Sequence, residues 1–167
     1  AISYYLYYCL EGKVAFSAHD FRLLLNSFGQ TFTGQESSFF VKFTSWNLVF
    51  LEEILTTYPE VPWIFMTRDP LEVLVSNFRK PPAPLHWFRT RPELAARIAG
   101  LPESELESRG EEEFMAACIR RYEKIYEACQ QQLSNGLRIS YRDLPDVVTG
   151  EVAKHFDLSH NQVEEEQ

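Results

Sequence analysis

The hydrophobic and polar positions of this chain fall into blocks whose period changes along it. Residues 2–10 (ISYYLYYCL) are apolar and tyrosine-rich, and periodicity alone leaves them open between strand and helix. Ala18 to Phe28 reads as a helix with Gly29 as its stop. The apolar run from Ser38 to Phe43 predicts a short buried strand. A helix follows over SWNLVFLEEILTTYP, with Leu48, Leu51, Glu52 and Leu55 stacked at helical spacing and Pro59 ending it. VPWIFMTR, residues 61–68, is the clearest strand. It is almost continuously apolar, as a strand covered on both faces by helices would be.

Asp69 is placed to cap the next helix, with Pro70 as its first residue. Leu71, Leu74, Val75 and Phe78 then follow an i, i+3, i+4, i+7 pattern, which predicts one buried face. Ser76 falls off that stripe, on the side that carries Glu72 and Arg79. Pro81, Pro82 and Pro84 predict a loop over RKPPAPLHWFRTRP. Short helices are expected over residues 92–99 and 103–108. A long one is expected over 111–133, its acidic first turn matched to the helix dipole. Asn135-Gly136 is a turn, Leu137 to Tyr141 a third strand, and the stretch from Leu144 onward a last helix, whole or broken.

Short apolar strands alternating with helices predict an α/β fold with a parallel sheet, here as a single domain over residues 1–167. Ligands bind such sheets outside the carboxyl ends of the strands. Lys42, Arg68 and Tyr141-Arg142-Asp143 stand at those three ends and are expected to face one edge.

Composition narrows the classes. The chain has 167 residues, 45% hydrophobic and 14% aromatic, enough for a packed core. Its net charge of −8 and lack of a basic block argue against nucleic acid as a partner, and against a highly anionic polysaccharide as substrate. The acids of Glu103–Glu113 and Glu164–Glu166 read as solvated surface and tail. Three cysteines, Cys9, Cys118 and Cys129, have neither zinc spacing nor a paired framework, and no metal site is expected. No run approaches the length of a membrane span, so the cytoplasm is the default expectation. The chain opens without Met inside an apolar segment, so further sequence is expected upstream of Ala1.

Arg68 brings a planar, permanently charged fork to a strand end, and Ser76 adds a hydroxyl donor two turns into the helix that follows. Together they fit an anion, in particular a nucleotide phosphate. Lys42 is a candidate electrostatic helper. His19, Asp20 and Glu36 are candidate bases, with His19 preferred, and His86 and Trp87 are candidates to line an acceptor pocket.

The stretch from Phe40 to Arg79 resembles the middle of a sulfotransferase domain. The shared features are a strand ending in Lys42, Pro59 before the next strand, Arg68-Asp69-Pro70, and Ser76 eight residues after the arginine. ISYRDL, residues 139–144, is similar to the Tyr-Glu-Asp-Leu segment of that family. The resemblance implies a three-layer fold like that of the nucleotide kinases, and 3'-phosphoadenylyl sulfate as donor, with 3',5'-adenosine diphosphate as product. It implies sulfuryl transfer, without a metal, to a hydroxyl of a small molecule or carbohydrate. It assigns Arg68 and Ser76 to the donor's 3'-phosphate, Tyr141 to the adenine, and Lys42 to the neighbourhood of the transferred group. The chain departs from the family twice. No Gly- and Ser/Thr-rich phosphate loop precedes these elements, and Thr44 stands where the cytosolic members carry a histidine base. Two classes of function therefore stand: a sulfotransferase whose phosphate loop lies upstream, or a sulfotransferase-like binding or interaction module without catalysis. A small kinase fits less well, lacking a Gly-Lys-Ser/Thr loop.

Overall fold

The computed structural model describes residues 1–158 except Phe32, Gln35, Ser37, Leu133 and Ser134. The acidic tail read at Glu164–Glu166 lies outside the described residues. The chain is a mixed α/β protein, mostly helical, whose only sheet among the described residues has two parallel strands.

The opening segment resolves as helix α1 (Ile2–Leu10), which buries Leu6 and Leu10. Helix α2 (Ala18–Phe28) follows, with the Ser17 hydroxyl accepting from the Asp20 N–H as its N-cap. The strand expected over Ser38–Phe43 does not form: the described residues there join no ladder, and Phe39 and Phe40 are 51% and 56% exposed. A strand needs a partner as well as an apolar sequence, and this segment is held by side chains instead, Phe43 packing against the core and the Phe40 ring standing edge-on to Phe156 at 5.1 Å. Thr44 then starts a 3₁₀ turn, Ser45–Phe50, that leads into α3 (Leu51–Thr57). The Thr44 N–H and hydroxyl both donate to Asn47 Oδ1, at 3.1 and 2.8 Å. Thr44 is thus occupied as a cap.

Strand β1 (Trp63–Thr67) pairs in parallel with β2 (Gly136–Ser140), in register from Trp63↔Gly136 to Thr67↔Ser140. One face of β1 is well covered. Phe65 stacks on Tyr126 of α8 (Glu111–Gln132) at 4.4 Å, and the Trp63 ring meets the same tyrosine at 5.8 Å. The other face is covered unevenly: Ile139 is buried, while Met66, its partner in register, is 50% exposed. The expectation of cover over both faces therefore holds for the Phe65 face and only in part for the other. Asn135 ties the entrances of the two strands together, donating from Nδ2 to the carbonyls of Pro59 and Val61 and accepting from Trp63 Nε1.

The proline-rich stretch is a helix, α5 (Ala83–Thr90), where a loop was expected. Pro82 sits at its N-cap and Pro84 in its first turn, where an N–H has no intrahelical acceptor in any case. This places Trp87 in the core, 5.3 Å from the Trp46 ring and 5.7 Å from that of Tyr7, while His86 is exposed. A bidentate pair from Arg89 to Glu111, at 2.6 and 2.8 Å, joins α5 to α8. Helices α6 (Pro92–Ala99) and α7 (Glu103–Leu106) complete the layer against α8, and Gly100 ends α6 in the left-handed conformation that glycine accepts without strain. After β2 come a 3₁₀ turn at Tyr141–Asp143, a π-turn at Val148–Val152 and the one-turn α9 (Ala153–His155), the broken form of the expected last helix.

The main core gathers Leu6, Phe21, Leu85, Leu94, Ile98 and Phe114, each at most 1% exposed. All three cysteines are free, and burial pushes the Cys118 thiol up to about 12. Among the described residues no helix is long and apolar enough to cross a membrane.

Near the end of α1 the Glu11 carboxylate is enclosed by cations. Lys13 Nζ lies 2.7 Å from it, Arg91 Nη2 2.9 Å and the Tyr7 hydroxyl 3.0 Å. The Lys13 contact, then those of Arg91 and Tyr7, hold its pKa down at about 2 against an ordinary value of 4.5. A carboxyl depressed in the fold stabilises the fold above its unfolded pKa and loses that contribution as pH falls through the folded value. Glu11→Gln should therefore be less stable than wild type at neutral pH. The gap should close as pH falls from about 4.5 towards 2, read from urea midpoints across that range. A gap that stays constant with pH would show that the carboxylate charge contributes nothing.

Candidate functional site

Helix α4 (Pro70–Arg79) leaves the carboxyl end of β1 under the cap read from the sequence. Asp69 Oδ1 accepts from the N–H groups of Leu71 and Glu72 at 2.9 and 3.4 Å, and Pro70 occupies the first helical position. The predicted buried stripe is not buried. No α4 residue is fully enclosed, and Leu71, Val75 and Phe78 are 69%, 46% and 38% exposed. Leu74 alone of the four packs partly against the core. Periodicity found the helix, and tertiary neighbours decided how much of its apolar face was covered.

A cleft of about 330 Å³ runs along this exposed side, lined by Arg68, Leu71, Glu72, Val75, Ser76 and Arg79. Glu72, Ser76 and Arg79 succeed one another at four- and three-residue steps and so share one face of α4, and Arg68, just before the cap, joins that side through its bond to Glu72. Arg68 and Ser76, paired on sequence grounds, do line one cleft. The register Thr67↔Ser140 then brings the end of β2 beside Arg68, and a hydrogen bond of 3.1 Å from Thr67 Oγ1 to the Ile139 carbonyl pins the two strand ends. The Tyr141 ring faces the Arg68 guanidinium with Cζ 4.8 Å from its centroid, a cation–π contact.

Two residues without an assigned role complete the group. Arg68 Nε donates to Glu72 Oε2 at 2.9 Å, and Arg142 Nη2 donates to Glu72 Oε1 at 3.2 Å. Arg142 also lies 3.7 Å from Asp69 Oδ2. The Arg68 bond and then the Arg142 bond hold the Glu72 carboxyl below its ordinary pKa, so it is ionised at neutral pH. The Arg68–Glu72 pair was visible as an i, i+4 spacing. Arg142 was visible only as a strand-end residue, since the parallel register alone brings it to α4.

His19 and Lys42 are not part of this arrangement. His19 sits exposed in the first turn of α2, and Lys42 is exposed on the unpaired segment before Thr44; neither lines the cleft. Of the other candidate bases, Asp20 is exposed in the same turn as His19, and Glu36 accepts from the Thr33 N–H at 3.1 Å. A second groove, about 650 Å³, includes Arg97 and Arg121 among its walls. These two cap helix ends: Arg97 Nη1 donates to the Leu10 carbonyl at 2.5 Å, and Arg121 Nη1 donates to the carbonyl of Arg97.

No family model matches the chain, and no curated protein and no solved structure matches it.

Proposed function

We propose that this chain is a sulfotransferase-type domain. It would bind 3'-phosphoadenylyl sulfate through the 3'-phosphate and pass the sulfuryl group to a hydroxyl on a small molecule or carbohydrate. The observation that carries the reading is the convergence of Arg68, Ser76 and Tyr141. The first two line one cleft at the carboxyl end of a parallel strand, and the third comes from the neighbouring strand end to lie on the arginine. Guanidinium and hydroxyl donors suit a phosphate, while the exposed Leu71 and Val75 offer apolar surface to a nucleoside. The reading brings with it a fuller three-layer sheet in which β1 and β2 are two of the strands.

In the transfer, the acceptor oxygen forms a bond to sulfur as the bond from sulfur to the bridging phosphate oxygen breaks. The acceptor proton passes to a base, and 3',5'-adenosine diphosphate leaves. The described residues supply the grip on the 3'-phosphate. Thr44 is tied up as a cap, and His19 and Lys42 lie outside the cleft. Those placements favour a second reading, a nucleotide-binding module without catalysis. Incubation with 3'-phosphoadenylyl sulfate and a panel of phenolic, aliphatic and sugar hydroxyls, followed for release of 3',5'-adenosine diphosphate, separates the two. Acceptor-dependent release supports transfer. Donor binding without release supports the module, and absence of donor binding contradicts both.

A further inference from the structure

The Glu72 carboxylate bridges two arginines that arrive from different strand ends, one oxygen to each. A phosphate group offers the same bridging oxygens with one more of them and more charge. We infer that Glu72 is a resident competitor for the anion. It holds Arg68 and Arg142 together in the free protein, and a phosphate-bearing ligand binds by displacing it, which makes Arg142 an anion donor alongside Arg68 and Ser76. The inference rests on the phosphate-binding reading of this cleft.

Magnitudes favour displacement. Arg68 and Glu72 have side chains 38% and 41% exposed, and that of Arg142 is 68% exposed. Exposed carboxylate–guanidinium pairs favour the paired state by only about 1.4- to 5-fold each. A charge-assisted bond to a phosphate favours binding by about tenfold or more. Glu72 is already at the solvent boundary, so it can swing outward without burying its charge. Asp69 is poorly suited to the same role, because its Oδ1 is held by the cap and its Oδ2 is 3.7 Å from Arg142. Arg79 lines the same cleft and has no carboxylate partner among the described residues, so it remains available to a ligand extending towards Ser76.

The test is calorimetric titration of the whole chain with inorganic pyrophosphate and, separately, with 3',5'-adenosine diphosphate. Wild type is compared with Glu72→Gln, Glu72→Asp and Arg142→Ala. Competition predicts that Glu72→Gln binds both probes more tightly, by about 2- to 25-fold, the combined weight of two exposed pairs. Glu72→Asp keeps the charge but shortens the reach, so it should also tighten binding, and Arg142→Ala should weaken it. Weaker binding by Glu72→Gln would make Glu72 a positioning residue for the arginines and overturn the inference. Tightening by Glu72→Gln with Glu72→Asp equal to wild type would reduce the effect to charge at a distance, which also overturns it. If pyrophosphate tightens as predicted while 3',5'-adenosine diphosphate binds no form, the competitor stands and the nucleotide reading falls. No binding of pyrophosphate by wild type or by Glu72→Gln would overturn the inference.

Discussion

Arg68→Ala should weaken binding of 3',5'-adenosine diphosphate by about 10- to 150-fold, the ~1.5–3 kcal/mol of a charged hydrogen bond. The loss compounds two effects. The phosphate loses its fork, and Glu72 is left to Arg142 alone, nearer to the incoming anion. A partial offset pulls towards the lower end, because wild type must first open the exposed Arg68–Glu72 pair. Arg68→Lys should fall between the two, retaining charge but not the planar fork that lies against Tyr141. Stability should hardly move in either variant, because Arg68 makes an exposed pair and an exposed ring contact. Calorimetry alongside urea midpoints checks both halves. A large loss of stability would mean that Arg68 holds the strand end together instead of waiting for a ligand.

Gly136→Ala should destabilise the fold by about 2–3 kcal/mol, the upper part of the usual range for forcing atoms into a packed site. A Cβ at Gly136 would lie 2.3 Å from the Trp63 ring. That ring cannot easily give way. Its Nε1 donates to Asn135 at 3.2 Å, and it packs against the Tyr126 ring in a T-shaped contact at 5.8 Å. Gly136 is the register partner of Trp63, so the clash falls at the first pair of the two-stranded sheet. Because the cleft lies at the opposite, carboxyl end of the strands, the folded fraction should still bind ligand at the urea-free limit. A midpoint equal to wild type in urea unfolding would show that the sheet entrance relaxes freely.

What was legible in the sequence was what local chemistry decides. The Asp69 cap, Pro70 at the helix start and the spacing from Arg68 to Ser76 depend on a dozen consecutive residues, and the structure has them together. Several features that depend on distant partners were misread. Ser38–Phe43 has the apolar run of a strand but no neighbour to pair with. The stripe from Leu71 to Phe78 has the period of a buried face, but only Leu74 of it packs against the core. Pro81, Pro82 and Pro84 were read as breakers, although helix starts are where proline costs least. The Glu72–Arg142 contact joins residues seventy positions apart, and only the parallel register reveals it.

The most direct measurement of the central claim compares 3',5'-adenosine diphosphate with 5'-adenosine monophosphate, which lacks the 3'-phosphate, on wild type and Arg68→Ala. The account predicts that wild type binds the bisphosphate at least about tenfold more tightly than the monophosphate, and that Arg68→Ala removes most of that preference while leaving monophosphate binding nearly unchanged. Equal affinity of wild type for the two nucleotides, or no binding of either at millimolar concentration, would contradict it.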